Sequence, residues 1–445
     1  MSKNVVIIGN GIAGVTAARY IRKWSDFNIT IISAETKHFF SRTALMYIYM
    51  GHMRYQDTKP YEDHFWEKNR IDLIHDRVTG IDAAGKSLSL EQGNAINYDV
   101  LIIATGSKSR FFGWPGQDLK GVQGLYGIPD LEAMETYTKD INRAVVVGGG
   151  LIGIEMVEML HSRNIPVTFL VRETNYFEHL FPLEESQIIN QEIRDHHVDL
   201  QLQTELKEAL GDNDGRVRAI VSSKDEEIPC QFLGLTTGVA PNIGIVEASD
   251  VETNRGVLVD EFLQTNMPDV YAIGDCAEFR EDGIGYRRID QLWYTGRHQG
   301  KTVARTICGV QQRYNPPLFF NSAKFFSIEY QTYGTISAKP EEGIETLLWI
   351  SDRKKELIRI NYRKDNQQVV GFNLLGIRFR HALCEKWLLE KRTIDYVLTH
   401  LAEANFDPEF YKKYEPELVA TYNRQNPDNP VQMAPKKGVL ANIFG

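Results

Sequence analysis

Val5-Val-Ile-Ile-Gly9-Asn-Gly11-Ile-Ala-Gly14 joins an apolar, β-branched run to a cluster of glycines and then to a helical run from Val15 to about Lys23. Four consecutive β-branched residues suit a strand covered on both faces, as in a parallel sheet. Gly9 permits the tight turn, Gly11 lets backbone amides approach a pyrophosphate, and Gly14 allows close packing of strand on helix. A second β-branched strand follows at Ile29 to Ile32. A single pattern of this kind is weak. The same grammar recurs at Ala144-Val-Val-Val-Gly148-Gly-Gly150-Leu-Ile-Gly153, leading into Ile154-Glu-Met-Val-Glu-Met-Leu160 and then the strand Val167 to Val171. Two such units, each in a strand–turn–helix context, indicate two dinucleotide sites.

Working outward, Asp99-Val-Leu-Ile-Ile-Ala-Thr-Gly106 reads as a parallel strand ending at a glycine turn, and Phe232 to Gly238 is a weaker echo of it. Gly256-Val-Leu-Val-Asp260 and Val270-Tyr-Ala-Ile-Gly-Asp275 are further strands, the latter followed by an expected helix from near Cys276. Thr295 to Cys308 has helical spacing, with Gly309 as its stop. Beyond Pro316-Pro317 the pattern changes. Strand-like runs appear around Lys324 to Thr335, Thr346 to Ile350, Leu357 to Tyr362 and Val369 to Leu375, and a helix is expected over Arg380 to Leu401. Thr421 to Lys437 is polar and reads as irregular. The expected fold class is α/β, with two Rossmann-like FAD/NAD(P)-binding domains, one inserted in the other, and a C-terminal α+β interface-like domain. Residues 1–120 and 247–315 form the first domain, 121–246 the inserted one, and 316–445 the third.

Composition agrees with a folded chain of two or three domains: 445 residues, 42% hydrophobic and 24% charged. The 50 basic and 59 acidic residues give a net charge of -9, which argues against a surface dominated by nucleic-acid binding. Cys230, Cys276, Cys308 and Cys384 are too scattered for a CxxC pair, so neither a disulfide scaffold nor a cysteine-rich metal site is expected. No segment approaches the roughly 18 consecutive apolar residues of a membrane span. The apolar strand begins almost at once, without a basic leader, and a cytoplasmic location is expected.

Individual residues sharpen this. Glu35, in Ile31-Ile-Ser-Ala-Glu35, stands slightly past the strand end, where a carboxylate can accept hydrogen bonds from an adenosine ribose; otherwise it is a solvated turn residue. After the second unit the strand ends in Arg172-Glu173. Arg172 suits a 2′-phosphate and Glu173 a ribose hydroxyl, so use of both NADPH and NADH is expected. Asp275 follows a β-run and Gly274; it can bind a ribityl hydroxyl or cap a helix. His196-His197 has no clear coordinating partner, and no metal site is expected. Arg378, Arg380, His381, Lys386, Lys391 and Arg392 form a basic cluster, either a solvated helix face or a docking patch.

Taken together, these pieces resemble the FAD-dependent pyridine nucleotide-disulfide oxidoreductases, in particular the branch of rubredoxin and ferredoxin reductases, CoA-disulfide reductase and the flavin part of NADH-nitrite reductase. The resemblance runs through both glycine motifs, Ala104-Thr-Gly106, Thr237-Gly238-Val-Ala-Pro241-Asn242, Tyr271-Ala-Ile-Gly274-Asp275 and Trp293 to Gly300, covering about residues 5–309. It implies that Gly9, Gly11, Gly14, Glu35, Thr105, Gly106, Gly274 and Asp275 bind FAD, with Arg42 in an arginine-containing segment beside it. Gly148, Gly150, Gly153 and Glu155 fall on the nicotinamide side, although an acid like Glu155 also suits the first turn of any helix. Gln299 and Gly300 match the helix start that passes the pyrimidine edge of the flavin ring.

One departure redirects the chemistry. The disulfide reductases carry a reactive cysteine after the second strand, whereas residues 36–60 contain none. A thiol relay needs a thiolate beside the flavin. The expected function is therefore an FAD-dependent NAD(P)H oxidoreductase that passes hydride to flavin N5 and then electrons to an acceptor without a cysteine relay. The acceptor is a small redox protein of the ferredoxin or rubredoxin kind, an iron–sulfur protein, or a small molecule. No catalytic acid or base is assigned, since hydride transfer to flavin need not use one. Self-association through the C-terminal domain is also expected. The competing function is a redox-responsive flavoprotein subunit with little turnover, motivated by the apolar end Gly438 to Gly445. An FAD monooxygenase or amine oxidase does not need the second nucleotide unit.

Overall fold

The computed structural model describes residues 2–280, 288–406 and 412–434, so the apolar end at 438–445 lies outside the described residues. The chain divides into two compact units. One comprises Met1–Val167 with Glu205–Pro317, the other Thr168–Thr204 with Leu318–Gly445.

In the first unit, Asn4–Ile8 is the centre of a five-stranded parallel sheet ordered Val270–Ala272, Val100–Ile103, Asn4–Ile8, Asn28–Ser33, Ile71–His75. Val5 to Ile8 and Val100 to Ile103 are buried throughout, which is why these runs are apolar without alternation. Strand order reverses beside the central strand, the topological position at which open α/β sheets bind ligands. Ile12–Trp24 and Trp293–Ile307 pack against each other here, and Gly300 makes that approach feasible: a Cβ on it would lie 2.5 Å from the Ala13 carbonyl. The second glycine unit contributes Ala144–Val147, paired in parallel with Phe232–Leu235, which in turn pairs with Val122–Gln123. Helix Leu151–Ser162 follows its glycine turn.

In the second unit, the strand Val167–Val171 pairs in parallel with Asp199–Leu202, with helix Leu183–Asp195 between them in sequence. Its larger part is an antiparallel five-stranded sheet ordered Phe320–Phe325, Ile328–Gly334, Val369–Leu375, Leu357–Arg363, Ile344–Ile350. Helices His381–Leu389, Ile394–Thr399 and Glu415–Gln425 share its core through Trp387, Val397, Leu418 and Tyr422. Buried Arg359 on this sheet holds Glu185 at 2.6 and 2.9 Å.

Three local expectations are corrected. No α-helix begins at Cys276: Gly274–Cys276 is a single 3₁₀ turn, and Ala277–Phe279 is a strand beside Val257–Val259. Glu278 holds it there, its buried carboxylate accepting from the amides of Arg255 and Gly256 at 2.8 and 2.9 Å. The run Arg380 to Leu401 breaks at Lys391, whose φ is +54°. The Arg392 amide bonds back to the Trp387 carbonyl, closing the first helix with a Schellman-type turn. Finally, Thr421 to Gln425 is helical, because the apolar face that orders it (Leu418, Val419, Tyr422) begins before the polar stretch.

Candidate functional site

The two glycine turns divide their labour in the same way. Gly9 has φ +111°, and a Cβ there would lie 2.1 Å from the Ala104 carbonyl oxygen. A Cβ on Gly14 would sit 2.2 Å from the Gly9 carbonyl, so the helix can lie against the strand only without one. Gly11 differs: its φ is an ordinary -69°, and a Cβ on it would meet nothing within 4 Å. What glycine supplies there is room, at the N-cap of Ile12–Trp24, where helix amides and the helix dipole favour an anion. At the second turn Gly148 has φ +117° with a Cβ position 2.6 Å from the Thr236 carbonyl. Gly150, the N-cap of Leu151–Ser162, again faces open space, and Gly153 is buried in the helix behind it.

A cavity of about 1050 Å³ opens in the first unit at this sheet edge. Gly9, Gly11, Glu35, Thr105, Gly106, Gly274 and Asp275 all line it. Arg42 also lines it, as does Glu155 from the second glycine helix. Gly14, Gln299 and Gly300 lie behind the lining. The Gln299 side chain accepts a 2.6 Å hydrogen bond from the Gly274 amide and thereby fixes the turn carrying Asp275; Gly296, one helical turn earlier, lines the cavity instead.

Glu35 and Arg42 form one bidentate pair. Arg42 Nη1 and Nη2 lie 3.0 and 2.5 Å from the two Glu35 oxygens, and the Ile128 amide adds a 2.8 Å bond to Oε1. Burial works against the Arg42 charge, but Glu35 beside it raises the pKa overall. Asp275 is pushed up by burial, an effect opposed by hydrogen bonds from Ser107 and Tyr126 and by the Arg42 charge. Glu155 is raised to about 7, first by burial and then by the charge of Glu158 one turn on.

Three residues of this network carry no motif. Ser107 Oγ donates to Asp275 Oδ2 at 3.1 Å and accepts from Gln291 Nε2 at 2.8 Å. The Tyr126 hydroxyl lies 3.3 Å from the same Oδ2, and its carbonyl accepts from Arg42 Nη1 at 2.7 Å. Only Ser107, next to Thr105-Gly106, had a neighbour that could have drawn attention to it.

No cysteine lines the cavity. Cys276 is fully buried, its thiol raised by burial and directed at the carbonyls of Ile273 and Ile103, 3.3 and 3.5 Å away. Cys230 is buried and pushed up to about 12. Neither is poised as a thiolate. In the second unit Arg172 is 73% exposed and its Nε lies 2.7 Å from Glu173. Four members of the basic cluster face acids: Arg378 binds Glu329, Arg392 binds Glu390, Lys386 reaches the same Glu390, and His381 faces Glu385. His196 stacks on Phe326 with ring centroids 4.3 Å apart.

The sequence pattern of the pyridine nucleotide-disulphide oxidoreductases matches residues 3–300, which contain both glycine turns and every residue named as lining the cavity. The chain belongs to that family. It is similar to a nitrite reductase [NAD(P)H] of Bacillus subtilis, 28% identical over 380 residues, covering 84% of this chain and 46% of that one. It also resembles the nitric oxide reductase FlRd-NAD(+) reductase of Salmonella agona, 31% identical over 295 residues, covering 66% of this chain and 77% of the relative. The chain thus spans less than half of the nitrite reductase. Among solved structures, a ferredoxin reductase from Rhodopseudomonas palustris shares the fold with a TM-score of 0.76 at 23% identity, covering 92% of this chain and 96% of that one. The fold is accordingly that of the family: two Rossmann-like sheets and a β-rich C-terminal region.

Family membership implies a flavin and a pyridine nucleotide, and the residues present fit them. Gly11 and Gly150 each leave a side-chain-free cradle at a helix N-terminus, suited to a pyrophosphate. Asp275 and Glu35 bring carboxylates to the same cavity, suited to sugar and ribityl hydroxyls. Among the described residues no helix is long and apolar enough to cross a membrane.

Proposed function

We propose that the chain is an FAD-dependent NAD(P)H oxidoreductase that delivers electrons to a ferredoxin- or rubredoxin-like protein, or to a small acceptor, without a thiol relay. The observation that carries this reading is the convergence of Glu155, from the second glycine helix, with Gly11, Arg42 and Asp275, from the first dinucleotide unit, on one cavity. A nicotinamide delivered by the second dinucleotide turn would meet there whatever the first dinucleotide turn holds. The bound flavin supplies hydride acceptance and electron release, and the protein supplies position and field.

In this reading Gly9, Gly11 and Gly14 shape the FAD pyrophosphate turn, and Thr105, Gly106 and Gly274 keep the chain close to the cofactor. Glu35 accepts from the ribose while paired to Arg42, and Asp275 accepts from the ribityl chain. Gln299 and Gly300 support the flavin-ring edge from behind. Gly148, Gly150 and Gly153 hold the nicotinamide nucleotide, Glu155 faces its ring, and Arg172 reaches a 2′-phosphate when NADPH is used. The division into 1–120 with 247–315, 121–246 and 316–445 belongs to the same proposal. So do an iron–sulfur partner, self-association through the C-terminal domain and a cytoplasmic setting.

Support for the thiol-free route comes from the buried, carbonyl-directed Cys276 and the absence of any cysteine from the cavity wall. A variant with all four cysteines changed to serine should retain NADH-driven reduction of an artificial acceptor to within about threefold, a modest effect expected of packing changes alone. Loss of that activity in a folded, FAD-loaded variant would contradict the route.

A further inference from the structure

Tyr126 belongs to no motif, yet it touches both Arg42 and Asp275 on the cavity lining. Its carbonyl accepts from Arg42 Nη1 at 2.7 Å, and its ring lies 4.7 Å from the Arg42 guanidinium carbon. Its own amide donates to Asp130 Oδ2 at 2.7 Å, which pins the backbone just before helix Ile128–Tyr137. At the other end of the side chain, the Ser107 amide donates to the phenol oxygen at 2.8 Å. A phenol has one proton. With its oxygen already accepting, that proton is directed to Asp275 Oδ2, 3.3 Å away. Room for this arrangement comes from Gly106, at φ +70°, where a Cβ would approach the phenol oxygen to 2.9 Å.

Ser107 repeats the logic. Its Oγ accepts from Gln291 Nε2, so its proton also goes to Asp275 Oδ2. Two oriented donors therefore take the same carboxylate oxygen, and Oδ1 is the one left to accept from a ligand. We propose that Tyr126 is a positioning residue of the flavin site: its hydroxyl fixes Asp275 so that Oδ1 is presented to a ribityl hydroxyl, while its carbonyl and ring hold Arg42. This rests on the FAD reading above and adds a residue to it. A ring that merely filled space would leave Asp275 equally effective without the hydroxyl.

The test is FAD titration of apoprotein, followed by quenching of flavin fluorescence, with circular dichroism confirming the fold of each variant. Tyr126→Phe keeps the ring over Arg42 and removes the hydroxyl, which is both the donor to Asp275 and the acceptor of the Ser107 amide, and the Asp275→Asn background separates the two. Its Kd for FAD should rise about tenfold, the usual effect of one hydrogen bond to a charged group. In an Asp275→Asn background the same change should matter less than about twofold, because the charge it serves is gone. Should Asp275→Asn fail to hold FAD, Ser107→Ala is the second background. There Tyr126→Phe should cost clearly more than about tenfold, since Asp275 then loses both donors.

The pH profile separates positioning from packing. Ser107, Tyr126 and Arg42 favour the ionised form of Asp275, while burial and Asp290 oppose it. Removing the phenol should therefore move the acid-side loss of FAD affinity to higher pH. An unchanged Kd in Tyr126→Phe, equal fold-changes in the single and Asp275→Asn backgrounds, or an unmoved pH profile would overturn the proposal. Those outcomes leave tight FAD binding by the wild type intact. A wild-type apoprotein that does not bind FAD would overturn the flavin reading along with it.

Discussion

Asp275 and Glu155 are carboxylates on the wall of one cavity, both raised by burial, yet their neighbours pull in opposite senses. Ser107, Tyr126 and Arg42 support the Asp275 charge, whereas Glu158 adds a second negative charge beside Glu155. For Glu155 the folded pKa of about 7 lies above the ordinary 4.5. Its contribution to stability is therefore fully present below the unfolded value and is lost as pH rises through the folded one. Glu155→Gln should leave apoprotein stability unchanged near pH 4.5 and raise it by about 1–3 kcal/mol near pH 8. Urea unfolding at the two pH values checks this, and an equal effect at both would remove the strain assigned to Glu155. At this scale the sequence was informative where chemistry comes with spacing. Gly9, Gly11, Glu35 and Asp275 could be named from motifs. Tyr126, Ser107 and Gln291 could not, because their contacts join residues 149, 168 and 184 positions apart and no local pattern encodes them.

Elements written as β-branched runs before glycine turns were legible, and a short strand fixed by its own side chain's bonds to distant backbone was not. The strands Asn4–Ile8 and Ala144–Val147 announce themselves as β-branched runs followed by glycine turns. The strand Ala277–Phe279 does not, since it depends on Glu278 binding the amides of Arg255 and Gly256. The equivalence of the two glycine turns gives a prediction at this scale. Gly11→Val fills the first cradle and should prevent FAD loading. Gly150→Val fills the second and should weaken nicotinamide nucleotide binding by about tenfold or more with FAD retained, as read by calorimetry and the flavin absorbance of purified protein. FAD lost from Gly150→Val but not from Gly11→Val would reverse the assignment of the halves. At the end of Val167–Val171, Arg172 is already charge-paired with Glu173. Arg172→Ala should weaken NADPH by about tenfold and NADH by less than about twofold, because a charge-assisted contact to the 2′-phosphate is lost. Equal changes in the two dissociation constants would show that Arg172 does not read the phosphate.

Across the whole molecule, charge and cysteine placement narrow the route by which electrons would leave in the proposed function. The net charge is -9, and in the basic cluster Arg378 faces Glu329 while Lys386 and Arg392 share Glu390, so two carboxylates offset most of the charge of these three cations. Exposed pairs of this kind contribute little to stability or steering at physiological salt. The sequence displayed these cations but not the partner of Arg378, since Glu329 lies 49 residues away on the strand Ile328–Gly334. What unites the two dinucleotide units is the single cavity they line, and the central claim is that reduced nicotinamide delivers hydride there to a flavin. Anaerobic titration of the FAD-loaded protein with NADH and with NADPH, followed at the flavin absorbance band, tests this directly. Bleaching of the band by about one equivalent of reduced nucleotide is the predicted result. A fully FAD-loaded protein whose flavin band neither nucleotide bleaches would contradict the account.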